Sequence, residues 1–214
     1  MYLVIGTRPD LAFTVSALSQ FSSKPTTQHM AVLKGVLQYL KGTRNLALLY
    51  RKPKSNTVML SGYSDSDFAG DRNTRKSTTG KILQVAGNTI CWQSVKQRCV
   101  STSTVEAEYI PISTTAKQQV WLQNALSELR IDIPAALSTD NNGSIDLTHN
   151  PRISDKSKHI DIAYHHIRDL AEKGIINLLR VASEDNLADI CTKALPRPQF
   201  CSLREKLLQS ARVE

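Results

Sequence analysis

The chain has 214 residues, 41% hydrophobic and 21% charged, with a formal net charge of +8. That suffices for one large domain, or one domain with an attached segment, and the composition excludes disordered and fibrous classes. No apolar run approaches the roughly 20 residues of a bilayer span, the start "MYLVIGTRPD" does not read as a signal peptide, and Cys91, Cys99, Cys191 and Cys201 lack CxxC or zinc-finger spacing, as expected of idle thiols in a reducing compartment.

In chain order, "TRPDLAFTVSALSQFSS" predicts a helix with Thr7 as cap, Pro9 in the first turn and Asp10 against the positive dipole end. Leu11, Val15 and Leu18 share one face. "TQHMAVLKGVLQYLKG" predicts a second helix with the apolar stripe Met30, Leu33, Val36, Leu37, Leu40, ended by Gly42. "LALLY" follows as a strand, and the polar "RKPKSN" marks the best boundary in the chain. Residues 1–57 carry eight Lys and Arg against Asp10 alone, so +7 of the +8 lies in the first quarter. A one-sided basic segment suits a polyanionic partner such as nucleic acid, and equally a solubilising surface.

Beyond the boundary the pattern changes. "TVMLSGYS", "GKILQVAG" and "TICWQSV" read as strands, the last two joined by a tight turn at Gly87-Asn88. A long helix follows through Tyr109, Ile112, Ala116 and Val120. "IPAALSTD" is a strand, "NNGSIDLTHN" a short helix, and "HIDIAYHHIRDLAEKG" a helix closed by Gly174. "IINLLRVA" is a strand and "SEDNLADICTKAL" a final helix capped at Ser183. Three antiparallel strands and then alternating helices and strands predict a mixed α/β sheet with helices packed on it.

Acids fall at the ends of these elements. Asp65 ends the first strand of this region, Asp140 ends the fourth, Glu106 and Glu108 open the long helix, and Asp189 lies in the last helix. Adjacent strand ends can gather distant carboxylates, and such a cluster needs a cation. Ser66 and Gly70 suggest that the first strand stops before Asp67. Glu108 borders the buried stripe of its helix, whereas Glu106 lies on a mostly polar face. On the residues alone, a four-acid metal site and a set of solvated acids both stand. His159, His165 and His166 read as surface or hydrogen-bonded histidines, and Trp92 and Trp121 as core residues.

The ordered motifs "YSDSDFAGD", "RKSTTG", "STVEAEYI", "STDNNGSI", "KHIDI" and "NLADICTKAL" resemble the ribonuclease H domain of copia-type LTR retrotransposon Pol polyproteins. The upstream helical segment resembles the thumb and connection region of the adjoining reverse transcriptase. The resemblance spans nearly the whole chain. It implies a ribonuclease H-like α/β domain, a mixed five-stranded sheet flanked by helices, over 57–200. A basic helical remnant at 1–56 precedes it and a tail at 201–214 follows.

It also implies hydrolysis of the RNA strand of RNA–DNA hybrids during reverse transcription, with Asp65, Glu108, Asp140 and Asp189 holding two divalent ions, Mg2+ with Mn2+ as an alternative. Arg75, Lys76, Ser77 and Asn142 are the expected substrate contacts. The partners implied are the hybrid and the rest of a Pol polyprotein, with no membrane. The location implied is intracellular, a cytoplasmic virus-like particle or the nucleus. Pro111, three residues past Glu108, departs from the family pattern, and a helix-interior proline costs about 3 kcal/mol. The polymerase's Asp-Asp motif does not occur, so no DNA synthesis is expected, and no histidine precedes Asp189 in "IINLLRVASEDNLAD". Pro111 and the missing palm motif favour a second reading, a catalytically inactive Pol fragment that at most binds nucleic acid. An integrase-like reading is opposed by the order of the acids, with the glutamate second of four.

Overall fold

The computed structural model of the chain describes residues 1–53, 58–149 and 158–211, excepting the side chains of 147, 149 and 158–164. The elements are α1 (Tyr2–Gly6), α2 (Ala12–Ser19), α3 (Thr27–Gly42), β1 (Leu46–Ala47), β2 (Leu60–Asp67), β3 (Thr78–Val85), β4 (Asn88–Lys96), α4 (Thr104–Glu128), β5 (Ala135–Thr139), α5 (Asn142–His149), α6 (Lys158–Glu172), β6 (Ile176–Arg180), α7 (Arg197–Leu207) and β7 (Gln209–Ser210). Short 3-10 turns occupy Pro9–Leu11, Ser183–Asp185 and Leu187–Cys191.

Five strands form one sheet in the order β4-β3-β2-β5-β6, antiparallel among the first three and parallel from β2 through β5 to β6. This is the mixed five-stranded sheet flanked by helices that the sequence implies. Each face buries a separate core. Leu60, Tyr109, Ile112, Leu137, Ile167 and Ile176 fill the space between the sheet, α4 and α6. On the other face Ala12, Ile82, Leu187, Ile190, Leu203 and Leu207 pack together, with Trp92 and Phe200 partly buried against them. The buried aliphatic side chains contribute roughly 1.5–3 kcal/mol each.

Several elements differ from expectation. The first helix is split, with Arg8 rather than Thr7 at the start of its 3-10 turn. Asp10 is buried, where it accepts from Arg8 at 2.7 and 2.9 Å and from Tyr39 Oη at 2.6 Å. Its charge serves a side-chain network that ties this turn to α3. The predicted stripe of α3 exists, but Met30, Leu33 and Leu37 are exposed. They line an apolar groove of about 360 Å³ with Leu11, Val15 and Leu18.

The β3–β4 hairpin turns at Ala86-Gly87, both at positive φ, one residue earlier than expected. Gly174, also at positive φ, closes α6 as predicted, with Ile175 N–H donating to Leu170 O at 2.9 Å. The final helix is instead a 3-10 turn capped by Asn186, whose side chain accepts from Ala188 N–H at 3.2 Å.

Trp121 is 65% exposed on α4 rather than in the core, and Trp92 donates to Val4 O at 2.6 Å. His165 is exposed and His166 half-buried, while the His159 side chain lies outside the described residues. The boundary at 56/57 lies outside them too. Residues 1–53 are nonetheless joined to the rest, since β1 pairs with β7 and Ala12 enters the second core. Much of the segment expected as a tail is α7 and β7, with Leu203, Leu207 and Leu208 buried.

Candidate metal centre

The sheet register accounts for two of the acids. Tyr63 in β2 is the neighbour of Ser138 in the parallel β5. Two residues beyond each stand Asp65 and Asp140, so the strands deliver both carboxylates at one level of the same sheet end. Asp189 arrives from the 3-10 turn Leu187–Cys191, which lies directly on β3. Gly80, the β3 neighbour of Asp65, makes that approach possible. A Cβ there would stand 2.5 Å from Thr192 Cγ2 and 2.7 Å from Ala188 O, closer than packing tolerates. Oxygens of Asp65, Asp140 and Asp189 consequently lie within 4.8 Å of one another.

Glu108 is not one of these three, but it faces them from α4. Burial first, and then the Asp65 and Asp140 charges, push its carboxyl up to about 9, while the Ser66 backbone N–H pulls the other way. Among the described residues its buried Oε2 has no hydrogen-bond partner. Burial and then Asp65 also raise the Asp189 carboxyl, to about 7, against the pull of Lys193.

Neighbours orient the acids. Asp140 accepts from Ser183 Oγ at 2.6 Å and from Asn186 Nδ2 at 3.4 Å. Asn186 Nδ2 also donates to Ser64 O at 3.0 Å, which pins the turn to β2. Thr192 Oγ1 donates to Asp65, and Gln199 Nε2 to Asp189 at 3.4 Å. Lys193 Nζ stands 2.9 Å from Asp189 Oδ1 and 3.5 Å from Asp65 Oδ2. Lys193 lies within the motif "NLADICTKAL", four residues after Asp189, but neither the motif nor that spacing assigned it a role. An all-carboxylate donor set with an orphaned buried oxygen fits a hard divalent cation such as Mg2+ or Mn2+.

The other acids have structural work. β2 runs on through Asp67, contrary to expectation, because Asp67 accepts from Thr78 N–H across the hairpin and so extends the pairing. Burial, partly opposed by the bond from Thr78, raises its carboxyl to about 6. Asp71 accepts from Asn73 N–H at 2.8 Å and Thr74 Oγ1 at 2.7 Å and pairs with Lys96, which holds its carboxyl below the usual range. Glu106 is buried, not on a polar face. It follows the helix cap Ser103 in an S-x-x-E pattern, and its Oε2 accepts from Thr102 N–H at 2.6 Å.

The loop between β2 and β3 rises from the same sheet end as the acids. It presents Arg75 exposed, at φ 57°, and Lys76 half-buried. Ser77 is fully buried and accepts from Ala69 N–H at 3.0 Å, so its hydroxyl holds the loop. Asn142 is exposed at the start of α5.

No family model matches the chain. The retrovirus-related Pol polyprotein from transposon TNT 1-94 of Nicotiana tabacum is 38% identical over 201 residues, 94% of this chain and 15% of that protein. Its counterpart from transposon RE1 of Arabidopsis thaliana is 39% identical over 203 residues, 94% of this chain and 14% of that protein. The chain thus spans about one-seventh of the length of these relatives. Among solved structures, LC11-RNase H1 in complex with RNA/DNA hybrid aligns with a TM-score of 0.47 at 15% identity, over 62% of this chain and 93% of that one. A likeness of that size carries no weight for function.

Proposed function

The chain belongs to the retrovirus-related Pol polyproteins of copia-type transposons, and from that premise we propose that it is a metal-dependent nuclease cutting the RNA strand of RNA–DNA hybrids. The observation that carries this reading is the convergence of Asp65, Asp140 and Asp189 within 4.8 Å at one sheet end, with the orphaned Glu108 oxygen beside them. Two divalent ions, Mg2+ or alternatively Mn2+, would be held by Asp65, Glu108, Asp140 and Asp189 and would supply, when bound, an activated water and neutralisation of charge at the scissile phosphate.

The protein's own part is orientation. Ser183 and Asn186 fix Asp140, and Thr192 fixes Asp65, so the carboxylates are placed before any ligand arrives. Arg75, Lys76 and Asn142 would contact the backbone of a hybrid, told from DNA partly through its 2′-hydroxyls. Ser77 acts through the loop it holds. The exposed Lys24, Lys34, Lys41, Arg44, Arg51 and Lys52 add attraction for a polyanion. The partners would be the hybrid and the rest of the polyprotein. Among the described residues no helix is long and apolar enough to cross a membrane.

Pro111 lies inside α4, seven residues past its first residue, and this favours the inactive-fragment reading. Against it, Gln97 Nε2 donates at 3.0 Å to Ala107 O, the carbonyl that a residue-111 N–H would otherwise satisfy. The decisive assay incubates the native chain and Asp65→Asn with a labelled RNA–DNA hybrid and Mg2+. Cleavage of the RNA by the native chain and its loss in the variant are expected. No native cleavage would leave the inactive-fragment reading, and undiminished cleavage by Asp65→Asn would refute the site.

A further inference from the structure

Lys193 is the one basic side chain among the described residues that stands within 4 Å of Asp65 or Asp189. Its Nζ bridges carboxylates from two elements, β2 and the 3-10 turn, at 3.5 and 2.9 Å. Both are almost completely buried, at 2% and 1% exposure. Two such carboxylates cannot both carry charge at low cost unless a cation lies between them. Lys193 itself is tethered at the edge. Its side chain is 40% exposed, and it lines a cleft of about 630 Å³ that also includes Tyr39, Arg197, Phe200 and Arg204. The ammonium therefore has open space beside the acids as well as a place among them.

We propose that Lys193 is a tethered counter-ion that competes with divalent cations for Asp65 and Asp189. It holds the acid cluster together without a metal, swings toward the cleft when one binds, and so sets a threshold of metal concentration for occupancy. This rests on the metal-site reading above and adds a residue that the family pattern did not assign to it. The flexible stem and rotatable ammonium of lysine suit such a role, whereas a guanidinium would lock onto both carboxylates.

The test measures binding of Mn2+ and Mg2+, by electron paramagnetic resonance and calorimetry, to the native chain, Lys193→Met and Asp65→Asn. The melting temperature with and without metal is followed in parallel. Lys193→Met keeps most of the stem but removes the charge. It should bind metal roughly tenfold or more tightly than the native chain. Its metal-free form should melt lower, and its metal-induced rise in melting temperature should be larger. If Lys193→Met fails to fold without metal, recovery of the fold on adding Mg2+ supports competition, and failure to recover refutes it. Equal or weaker metal binding by Lys193→Met, with Asp65→Asn impaired, would overturn the proposal and leave the metal site standing. Absence of binding in all three proteins would overturn the metal site, and the role of Lys193 with it.

Discussion

Glu108 and Asp189 carry a clear pH signature. Both carboxyls titrate higher in the folded chain, about 9 and about 7, than the roughly 4.3 and 3.9 of the unfolded chain. Between those limits the folded state binds more protons, so stability falls as pH rises. The metal-free protein should thus unfold at lower urea concentration at pH 8 than at pH 5. Saturating Mg2+ should shrink the difference, because it binds the ionised carboxylates. An equal or higher midpoint at pH 8 without metal would show that these acids are not protonated in the folded chain. Asp140 was legible in the sequence as a strand-end acid, and Asp65 as an acid near one, although the pairing that carries β2 two residues past Asp65 was not. Lys193 was not, because a lysine four residues after an aspartate is most often a solvated pair. Only the fold shows that this aspartate is buried beside Asp65.

At the scale of elements, α4 shows how a local rule can be broken and repaired. Its start at Ser103 was written in the S-x-x-E pattern, which the reading of Glu106 as a polar-face residue passed over. Its proline was visible, but its remedy was not, for Gln97 lies just past β4 and reaches Ala107 O only in the folded chain. Gln97 also donates to Thr79 Oγ1 at 3.1 Å and accepts from Ser101 Oγ at 3.1 Å. Gln97→Ala should cost about 1–3 kcal/mol, the penalty of an unsatisfied buried carbonyl and its neighbours. Pro111→Ala should recover part of that loss, because an alanine N–H can bond Ala107 O directly. A double-mutant cycle in urea measures this coupling, and strictly additive effects would sever the two residues. The α3 stripe teaches a complementary lesson: periodicity identifies a face, not what covers it.

Across the whole molecule the basic first quarter is part of one packed body. Arg8 is spent inside it, on Asp10 and Thr43, which charge counting could not reveal, while six other described cations stay exposed. If they meet the hybrid, replacing Lys34, Lys41 and Arg44 together by Gln should flatten the salt dependence of hybrid affinity. The expected change is about 0.7–0.9 in logarithmic slope for each lost phosphate contact. An unchanged slope would remove the segment from binding. The alternating strands and helices made the five-stranded sheet legible, but the closure of β1 onto β7 was invisible, since two-residue strands have no period to read. That closure also has a consequence in time. Asn45 and Ser210 meet although 165 positions separate them, and closing so long a loop comes late in folding. A chain emerging from the ribosome holds Asp65 long before Asp189 or Lys193 exists. The three-carboxylate cluster can therefore form only after the Leu187–Cys191 turn has been made.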